Sequence, residues 1–312
     1  MPTVLITGGT GTIGKSLSAL LLEKGYEVII VTREKQNNGA VAEQGLSYAC
    51  WDVQAQTIDK TAVQKADFIV HLAGAGVADK RWTNKRKKEI IESRTQSCAL
   101  LVKALKENPN QVKAIISASA IGLYGADPNV PNPHPFEETD PPATDFLADT
   151  CRQWEESIEG VQALGKRLVT IRTGIVLSRN GGALTEFIKP IRFGIAAILG
   201  NGKQVISWIH VDDLCRIYLQ AIEDERMTGV YNGVAPNPVT NKELTLQLAK
   251  TIKHNFYIAV HVPAAILKIV MGEMSIEVLK SATVAAAKIK HAPFNFIYPS
   301  VESAVNELTG KH

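Results

Sequence analysis

The chain has 312 residues, of which 45% are hydrophobic and 21% charged, a composition that can bury a sizeable core and excludes a disordered chain. Its 34 basic and 31 acidic residues are dispersed along the sequence and give a net charge of +3, so we expect a small-molecule partner and neither nucleic acid nor a membrane. The four cysteines form no CxxC pair, and no basic start followed by an apolar run marks a signal peptide, so we predict a cytoplasmic protein.

Short β-branched runs alternate with longer helical patterns over the first 230 residues, which is typical of a parallel sheet covered by helices on both faces. The predicted strands are Val4–Thr7, Glu27–Thr32, Ser47–Trp51, Asp67–Leu72, Val112–Ser119 and Arg167–Arg172, and the predicted helices span residues 13–24, 84–107 and 146–164. The segment from Gly125 to Pro142 contains six prolines, which predicts a surface loop.

After Arg172 the pattern changes, because glycines punctuate the chain up to a strand-like stretch that ends at Trp208. A helix is predicted from Asp212, and beyond Pro238 the pattern is mainly helical up to about Ala287. We therefore predict an α/β fold with a doubly wound parallel sheet and a small C-terminal substrate-binding lobe. The sheet domain would comprise residues 1–173 and 205–232, and the lobe residues 174–204 and 233–312.

A glycine-rich turn joins the first predicted strand to the first predicted helix. Gly9, Gly11 and Gly14 satisfy GxGxxG in that context, and Gly8 adds the related GxxGxxG spacing. Glycine lets the chain turn tightly and lets a pyrophosphate approach bare amides at the helix N-terminus. The alternative is a structural glycine turn, but the strand and helix around it favour a Rossmann-type dinucleotide site. The predicted contacts are Gly8, Gly9, Thr10, Gly11, Thr12, Ile13 and Gly14.

The end of the second strand bears on the choice of cofactor. An enzyme that uses NAD usually has an acidic residue there for the ribose 2′-hydroxyl, whereas this chain has Thr32 and Arg33. A guanidinium can hold a 2′-phosphate through two hydrogen bonds, with help from Thr32 and Lys35. In the alternative, Arg33 is solvated and Glu34 takes the ribose. We favour NADP(H) over NAD(H).

Further short sequence motifs follow the glycine-rich turn along the chain. They are Asp52-Val53, His71-Leu72-Ala73-Gly74, Lys80-Arg81-Trp82, Glu92-Ser93-Arg94, Ser117-Ala118-Ser119-Ala120, Phe146-Leu147-Ala148, Trp154-Glu155, Gly181-Gly182-Ala183 and Ser207-Trp208-Ile209-His210-Val211-Asp212-Asp213-Leu214. With them the chain resembles the extended short-chain dehydrogenase/reductases, the superfamily of sugar-nucleotide epimerases and dehydratases. It resembles most the atypical branch of epimerase family proteins and SulA-like homologues.

The resemblance implies a cleft between sheet domain and lobe that holds nicotinamide and substrate. It assigns cofactor contacts to Thr32, Arg33, Asp52, Val53, Leu72, Ala73, Gly74, Glu89, Arg94, Ser117, Ala118 and Val176. Without it, Glu89 and Arg94 would be interpreted as an ordinary charged helix surface.

The catalytic pattern of that superfamily is missing from this chain. Its enzymes transfer a hydride while a Tyr, acidified by a Lys four residues on and helped by a Ser or Thr, moves the proton. None of the seven tyrosines has a Lys at the fourth following position, and the corresponding places hold Leu147 and Cys151. Ala120 stands at the Ser or Thr position.

Other side chains are candidates for the chemistry because they follow the carboxyl ends of predicted strands, where open α/β sheets bind ligands. The candidate catalytic residues are Ser119, Tyr124 and His210, and the candidate substrate-binding residues are Trp82, Lys189, Arg192 and Trp208. Each could instead be a packed loop residue, a helix anchor or a solvated charge. The remaining histidines show no HxH or HExxH spacing, so we expect no metal site.

We therefore predict an NADP(H)-dependent oxidoreductase or epimerase-like enzyme for a small polar substrate, with sugar nucleotides among the candidates. The alternative is a non-catalytic NADP(H)-binding sensor or regulatory protein. Assembly into a homo-oligomer is compatible with either.

Overall fold

The computed structural model describes residues 1–34 and 44–310. The strands are β1 (Thr3–Thr7), β2 (Glu27–Thr32), β3 (Leu46–Asp52), β4 (Thr57–Ile58), β5 (Phe68–His71), β6 (Ala114–Ala120), β7 (Arg167–Thr173), β8 (Ile175–Leu177), β9 (Ile195–Leu199), β10 (Val205–Ile206), β11 (Trp208–His210), β12 (Gly229–Gly233), β13 (Val239–Thr240) and β14 (Ile258–Val262). The helices are α1 (Thr12–Glu23), α2 (Lys60–Lys65), α3 (Asn84–Glu107), α4 (Phe146–Ile158), α5 (Ala183–Arg192), α6 (Val211–Glu223), α7 (Asn241–Lys253), α8 (Ala264–Met271), α9 (Ser275–Leu279), α10 (Ala287–His291) and α11 (Val301–Thr309).

The central sheet has eight strands in the order β12-β7-β6-β5-β1-β2-β3-β4, and each neighbouring pair is parallel except β3 with β4. Its middle strand β1 is buried on both faces. Val4 and Ile6 join a core with Leu17 of α1 and Leu214 of α6, whereas Leu5 joins a second core with Leu101 of α3. Successive side chains of a strand point to opposite faces, so helices cover both sides of the sheet. The predicted doubly wound α/β fold is confirmed.

Two predicted elements differ in the structure. The helix predicted up to residue 164 ends at Ile158 and continues as a 3-10 helix, Glu159–Leu164, with Gly160 near its start. The region beyond Pro238 is mainly helical up to Ala287, as predicted, but it also contains Ile258–Val262, a strand that pairs in parallel with β9. Its alternation of β-branched residues with Ala259 and His261 is a strand pattern, which the apolar composition of the whole stretch obscured.

Elements between Leu177 and Leu308, among them α5, β9, α7 and α11, pack around a third core, and we call this part the C-terminal lobe. Leu184 of α5, Leu244 and Leu248 of α7, and Val305 of α11 surround the fully buried Trp208. The predicted boundaries between domain and lobe stay a prediction. None of the helices within residues 1–34 and 44–310 has the length and apolar character needed to cross a membrane.

Candidate dinucleotide site

The glycine turn is held by contacts that leave no room for side chains. Gly8 has a φ of +72°, and a Cβ there would lie 2.8 Å from the carbonyl carbon of Leu72. A Cβ on Gly9 would lie 2.8 Å from the Ile30 side chain, and one on Gly14 would overlap the Gly8 carbonyl oxygen. Three of the four glycines are therefore required by the packing of β1, β2, β5 and α1 itself.

Gly11 has a different environment. Its φ is −76°, and a Cβ there would meet only the Gly8 carbonyl oxygen, at 3.3 Å. Gly11 is the N-cap of α1, no side chain caps that helix, and its first turn has no acidic residue. The first amides of a helix lack intrahelical partners and attract anions, so this end fits a dinucleotide pyrophosphate.

Arg33 lies at the end of β2 on the same edge of the sheet. It is exposed and lines an open cavity of about 440 Å³ together with Trp51 and Asp52. Within residues 1–34 and 44–310 the guanidinium has no acidic partner. The Thr32 hydroxyl donates to the Glu34 carbonyl oxygen at 2.7 Å, and Lys35 lies outside the described residues. A cation without an ion pair beside a cavity fits the phosphate of NADP(H).

The turn after β3 separates this cavity from a second one. Asp52 Oδ1 accepts hydrogen bonds from the amides of Gln54 and Ala55, both at 2.9 Å, which fixes the turn. Val53 lines the second cavity, also of about 440 Å³, against Gln96 of α3. The predicted contact of Asp52 and Val53 with adenine stays a prediction, and the two cavities give it room.

Arg94 is buried beneath the loop that follows β5. Its Nη1 donates to the carbonyl oxygens of Ala75, at 3.0 Å, and Ile90, at 2.9 Å, and its guanidinium lies 4.8 Å from the ring centroid of Trp154. A Cβ on Gly74 would lie 3.1 Å from this guanidinium. Arg94 is thus no surface charge. It supports the loop of Leu72, Ala73 and Gly74 from below.

Glu89 lies on an ordinary charged helix surface, which was the alternative to a cofactor contact. Its carboxylate is 54% exposed and pairs with Arg86 Nη1 at 2.8 Å on the surface of α3. Val176 lies in β8 opposite Ile209 of β11, and Ser117 and Ala118 are buried in β6. The cofactor contacts assigned to these four residues stay predictions.

His71, the last residue of β5, links three elements behind the glycine turn. Its Nδ1 lies 2.6 Å from the Thr7 hydroxyl, and its Nε2 lies 3.1 Å from the Ser97 hydroxyl. Ser97 donates to backbone carbonyl oxygens of α3, so Nε2 carries the proton and the imidazole is neutral. Complete burial, together with the positive charge of Arg94, lowers the pKa of His71 from 6.5 to about 3.

We expect His71 to make the fold sensitive to acid. As the pH falls, His71 becomes protonated near pH 6.5 in the unfolded chain but only near pH 3 in the folded chain. The contribution of the neutral His71 to stability is therefore complete above pH 6.5 and decreases towards pH 3. Urea titrations should show the free energy of unfolding about 1.4 kcal/mol lower one pH unit below the unfolded pKa. H71Q should lack this part of the slope, whereas H291Q, on an exposed residue, should keep it. Equal slopes in wild type and H71Q would refute the assignment.

Ser119 and Tyr124 lie together in a buried polar network around Arg172. The Ser119 hydroxyl donates to Glu155 Oε1 at 2.6 Å, and Arg172 pairs with the same carboxylate through Nε at 2.9 Å and Nη2 at 2.8 Å. The Tyr124 hydroxyl accepts from Arg172 Nη1 at 3.0 Å and donates to Asn232 Oδ1 at 2.7 Å. Burial raises the pKa of Tyr124 to about 12. Both hydroxyl protons are therefore committed within the network.

Leu147 and Cys151, which occupy the positions of the missing Tyr and Lys, face the turn after β6. A Cβ on Gly122 would lie 3.3 Å from Leu147 Cβ and 3.8 Å from Cys151 Sγ, so both residues point from α4 towards this turn. Burial raises the pKa of the Cys151 thiol to about 12, which leaves it protonated. Neither residue can relay a proton near neutral pH.

His210 is the N-cap of α6 and is 1% exposed. Its Nδ1 accepts from the Asp212 amide at 3.1 Å, so the ring proton is on Nε2, 3.0 Å from Glu307 Oε2. The Tyr298 ring covers it at a centroid distance of 3.9 Å. These contacts are those of a helix-capping residue. The catalytic role of His210 stays a prediction, and the geometry disfavours it.

The four candidate substrate residues are not brought together. Trp82 donates its indole N–H to the Val77 carbonyl oxygen at 2.9 Å and packs edge-on against Phe146. Lys189 pairs with Glu186 at 2.6 Å on the exposed face of α5, and Arg192 is exposed in the last turn of that helix. Trp208 is fully buried and donates to the Asn237 carbonyl oxygen at 3.0 Å. Trp208 therefore has the position of a core residue, which argues against the predicted substrate contact.

The sequence reasoning did not identify Glu155 and Arg172 as partners, although they organise the region beside the predicted active site. Arg172 ends a run of apolar and β-branched residues, and a charge at such a buried position needs a partner. The sequence therefore indicates that Arg172 needs a partner. It does not indicate which residue that is, because Glu155 lies in α4 and Arg172 in β7.

The eight-stranded sheet and the glycine turn define a Rossmann-type dinucleotide-binding protein. Comparison with known proteins agrees, since the profile of the NAD dependent epimerase/dehydratase family matches residues 4–232 and that of a domain of unknown function, DUF1731, matches residues 262–308. The chain belongs to the NAD dependent epimerase/dehydratase family.

Similar proteins cover the whole chain. It is 30% identical over 305 residues to the epimerase family protein YfhF of Bacillus subtilis, which covers 98% of this chain and 97% of that protein. It is 32% identical to the chloroplastic epimerase family protein SDR39U1 homolog of Arabidopsis thaliana, over 98% of this chain and 86% of that one. The crystal structure of human epimerase family protein SDR39U1 with NADPH superposes with a TM-score of 0.85 at 27% identity, covering 99% of each chain.

Proposed function

We propose that this protein is an NADP(H)-dependent oxidoreductase or epimerase-like enzyme that acts on a small polar substrate. The observation that carries the choice of dinucleotide is Arg33, an exposed cation without an acidic partner within residues 1–34 and 44–310, at the strand end where a 2′-phosphate would lie. The NADPH in the structure of the human relative supports this choice.

The residues around the glycine turn would hold the cofactor. The amides at the start of α1 would bind the pyrophosphate, Arg33 the 2′-phosphate, and Leu72, Ala73 and Gly74 the dinucleotide backbone. When bound, the nicotinamide supplies hydride transfer. Sugar nucleotides remain the candidate substrate class because of the family. The four cysteines are free thiols, which agrees with the proposed cytoplasmic location.

A second function is a non-catalytic NADP(H)-binding sensor or regulator. One observation favours it: Ser119, Tyr124 and His210 all lie in buried hydrogen-bond networks that hold their protons. An enzyme would need one of them to leave its network, or a proton donor on the substrate itself.

Titration of the full-length protein with NADPH and with NADH, followed by protein fluorescence, tests the cofactor. We expect tighter binding of NADPH, and equal affinities would refute the NADP(H) proposal. Incubation with NADPH and a panel of sugar nucleotides and small carbonyl compounds, followed by nicotinamide absorbance and product analysis, then separates the two functions. Turnover supports the enzyme, whereas tight NADPH binding without turnover of any compound supports the sensor.

A further inference from the structure

One end of the C-terminal lobe exposes two phenylalanines. Phe193 follows the last residue of α5, Phe256 lies three residues beyond α7, and the side chain of each is 85% exposed. The segments that carry them are adjacent, because the Ile258 amide donates to the Gly194 carbonyl oxygen at 2.8 Å and a Cβ on Gly194 would lie 3.5 Å from the Phe256 carbonyl oxygen. Aromatic side chains bury large areas in folded proteins, so two adjacent exposed ones mark a surface with a role.

The strands that begin at this end continue the apolar surface. Ile195 of β9 lies opposite Ile258 of β14 in the parallel register, and the two are 43% and 72% exposed. Val260 lies two residues further along, on the same face, and is 44% exposed. Parallel strands are normally covered on both faces, whereas in the described part of the chain these two pair only with each other.

We call Phe193, Ile195, Phe256, Ile258 and Val260 the apolar end of the lobe. Their side chains together expose on the order of 500 Å². This is the size of the largest apolar patch on a typical monomer, and such patches are often functional.

The segments that form the apolar end contain basic residues and no acidic ones. Residues 187–211 and 244–272 contain Lys189, Arg192, Lys203, Lys250, Lys253 and Lys268 and no Asp or Glu. The acids that precede these segments, Glu186 and Glu243, lie in the first turns of α5 and α7, at the helix ends opposite the phenylalanines. Arg192 and Lys253 lie in the last turns, next to Phe193 and Phe256, and neither has an acidic partner within the described ranges.

We propose that the apolar end docks on an anionic lipid surface. Phe193 and Phe256 enter the boundary between headgroups and acyl chains, while Arg192 and Lys253 contact lipid phosphates. Charge complementarity favours an anionic lipid surface over a second copy of the chain, because a two-fold contact would bring two identical sets of cations together. The sequence alone suggested no membrane partner, since these cations are dispersed along it and only the fold gathers them.

Docking in this way leaves the dinucleotide site open. A Cβ on Gly181, just before α5, would lie 3.2 Å from the Thr12 hydroxyl at the start of α1. The ten residues of α5 then lead away from the glycine turn to Phe193, a distance of about 15 Å. The proposal therefore does not depend on the cofactor or on catalysis.

Flotation of the full-length protein with lipid vesicles tests the proposal. We expect recovery with vesicles of phosphatidylcholine mixed with phosphatidylglycerol, weaker recovery at high salt, and little with pure phosphatidylcholine. The double variant F193S/F256S should bind the mixed vesicles at least about tenfold more weakly. R192Q/K253Q should lose the preference for phosphatidylglycerol.

The control variant is V130S, at an exposed apolar residue of the proline-rich loop, which should bind vesicles as the wild type does. Thermal unfolding shows whether each variant is folded, and all the changed side chains are partly or fully exposed. Equal vesicle binding by wild type and F193S/F256S would overturn the proposal. So would a dimer, seen by light scattering, that F193S/F256S dissociates while no vesicle binding occurs, because the apolar end would then be an interface between copies of this chain.

Discussion

Replacing Arg33 with alanine should weaken the binding of NADPH by about 10- to 100-fold and leave the binding of NADH nearly unchanged. A hydrogen bond to a charged group contributes about 1.5–3 kcal/mol, and every 1.4 kcal/mol is about tenfold in affinity. Arg33 is exposed beside an open cavity and has no acidic partner in residues 1–34 and 44–310, so its loss should cost little stability. Fluorescence titration with both dinucleotides measures the ratio.

The matched control is Arg226→Ala. Arg226 is 81% exposed and lies in the turn before β12, at the opposite edge of the sheet from β3 and β4. We expect no change in either affinity. If R33A weakened NADH as much as NADPH, Arg33 would support the turn and would not read the 2′-phosphate. If R33A changed neither affinity, the alternative in which Glu34 binds the ribose would gain.

Replacing Glu155 with alanine should lower the free energy of unfolding by about 3–5 kcal/mol, the usual cost of breaking a buried ion pair. The side chains of Glu155 and Arg172 are 14% and 8% exposed, and the carboxylate also accepts the hydroxyl proton of Ser119. Its removal leaves the guanidinium of Arg172 buried, with the Tyr124 hydroxyl and the Glu138 carbonyl oxygen as its hydrogen-bond partners in the described part of the chain. Urea denaturation followed by circular dichroism measures the loss.

Two further variants make this result interpretable. Arg152→Ala removes ion pairs on the exposed face of the same helix, and it should cost far less than E155A. E155L/R172M removes both buried charges and should recover part of the lost stability, because no uncompensated charge remains. Equal losses for E155A and R152A would show that water solvates the Arg172 network.

Much of the sheet could be predicted because its signals are local. The central strands are short runs of β-branched residues, and the glycine turn follows the first of them directly, so neighbouring residues were enough. The prediction for Arg33 also rests on local signals, since the position of a residue relative to the strand end determines which part of a bound dinucleotide it would face.

The details of the candidate active site could not be predicted because they depend on residues distant in sequence. Glu155 and Arg172 are brought together by α4 and β7, and Tyr124 meets Asn232 across more than a hundred positions. The environment of Trp208 also depends on residues that are distant in sequence. Its neighbours suggested a substrate contact, but α5, α7 and α11 bury it completely, and those contacts exist only once the lobe has formed.

The position of α11 has a consequence for the order in which the protein matures on the ribosome. The helix occupies Val301–Thr309, and its Ala304 and Val305 are fully buried in the core of the lobe. Its Glu307 contacts both Arg179 and His210. The last strand of the central sheet, β12, ends at Gly233, so all eight strands of the sheet are synthesised well before α11. The core of the lobe cannot be complete until α11 has been synthesised, so a chain that stopped before Val301 would expose the apolar side chains that α11 covers.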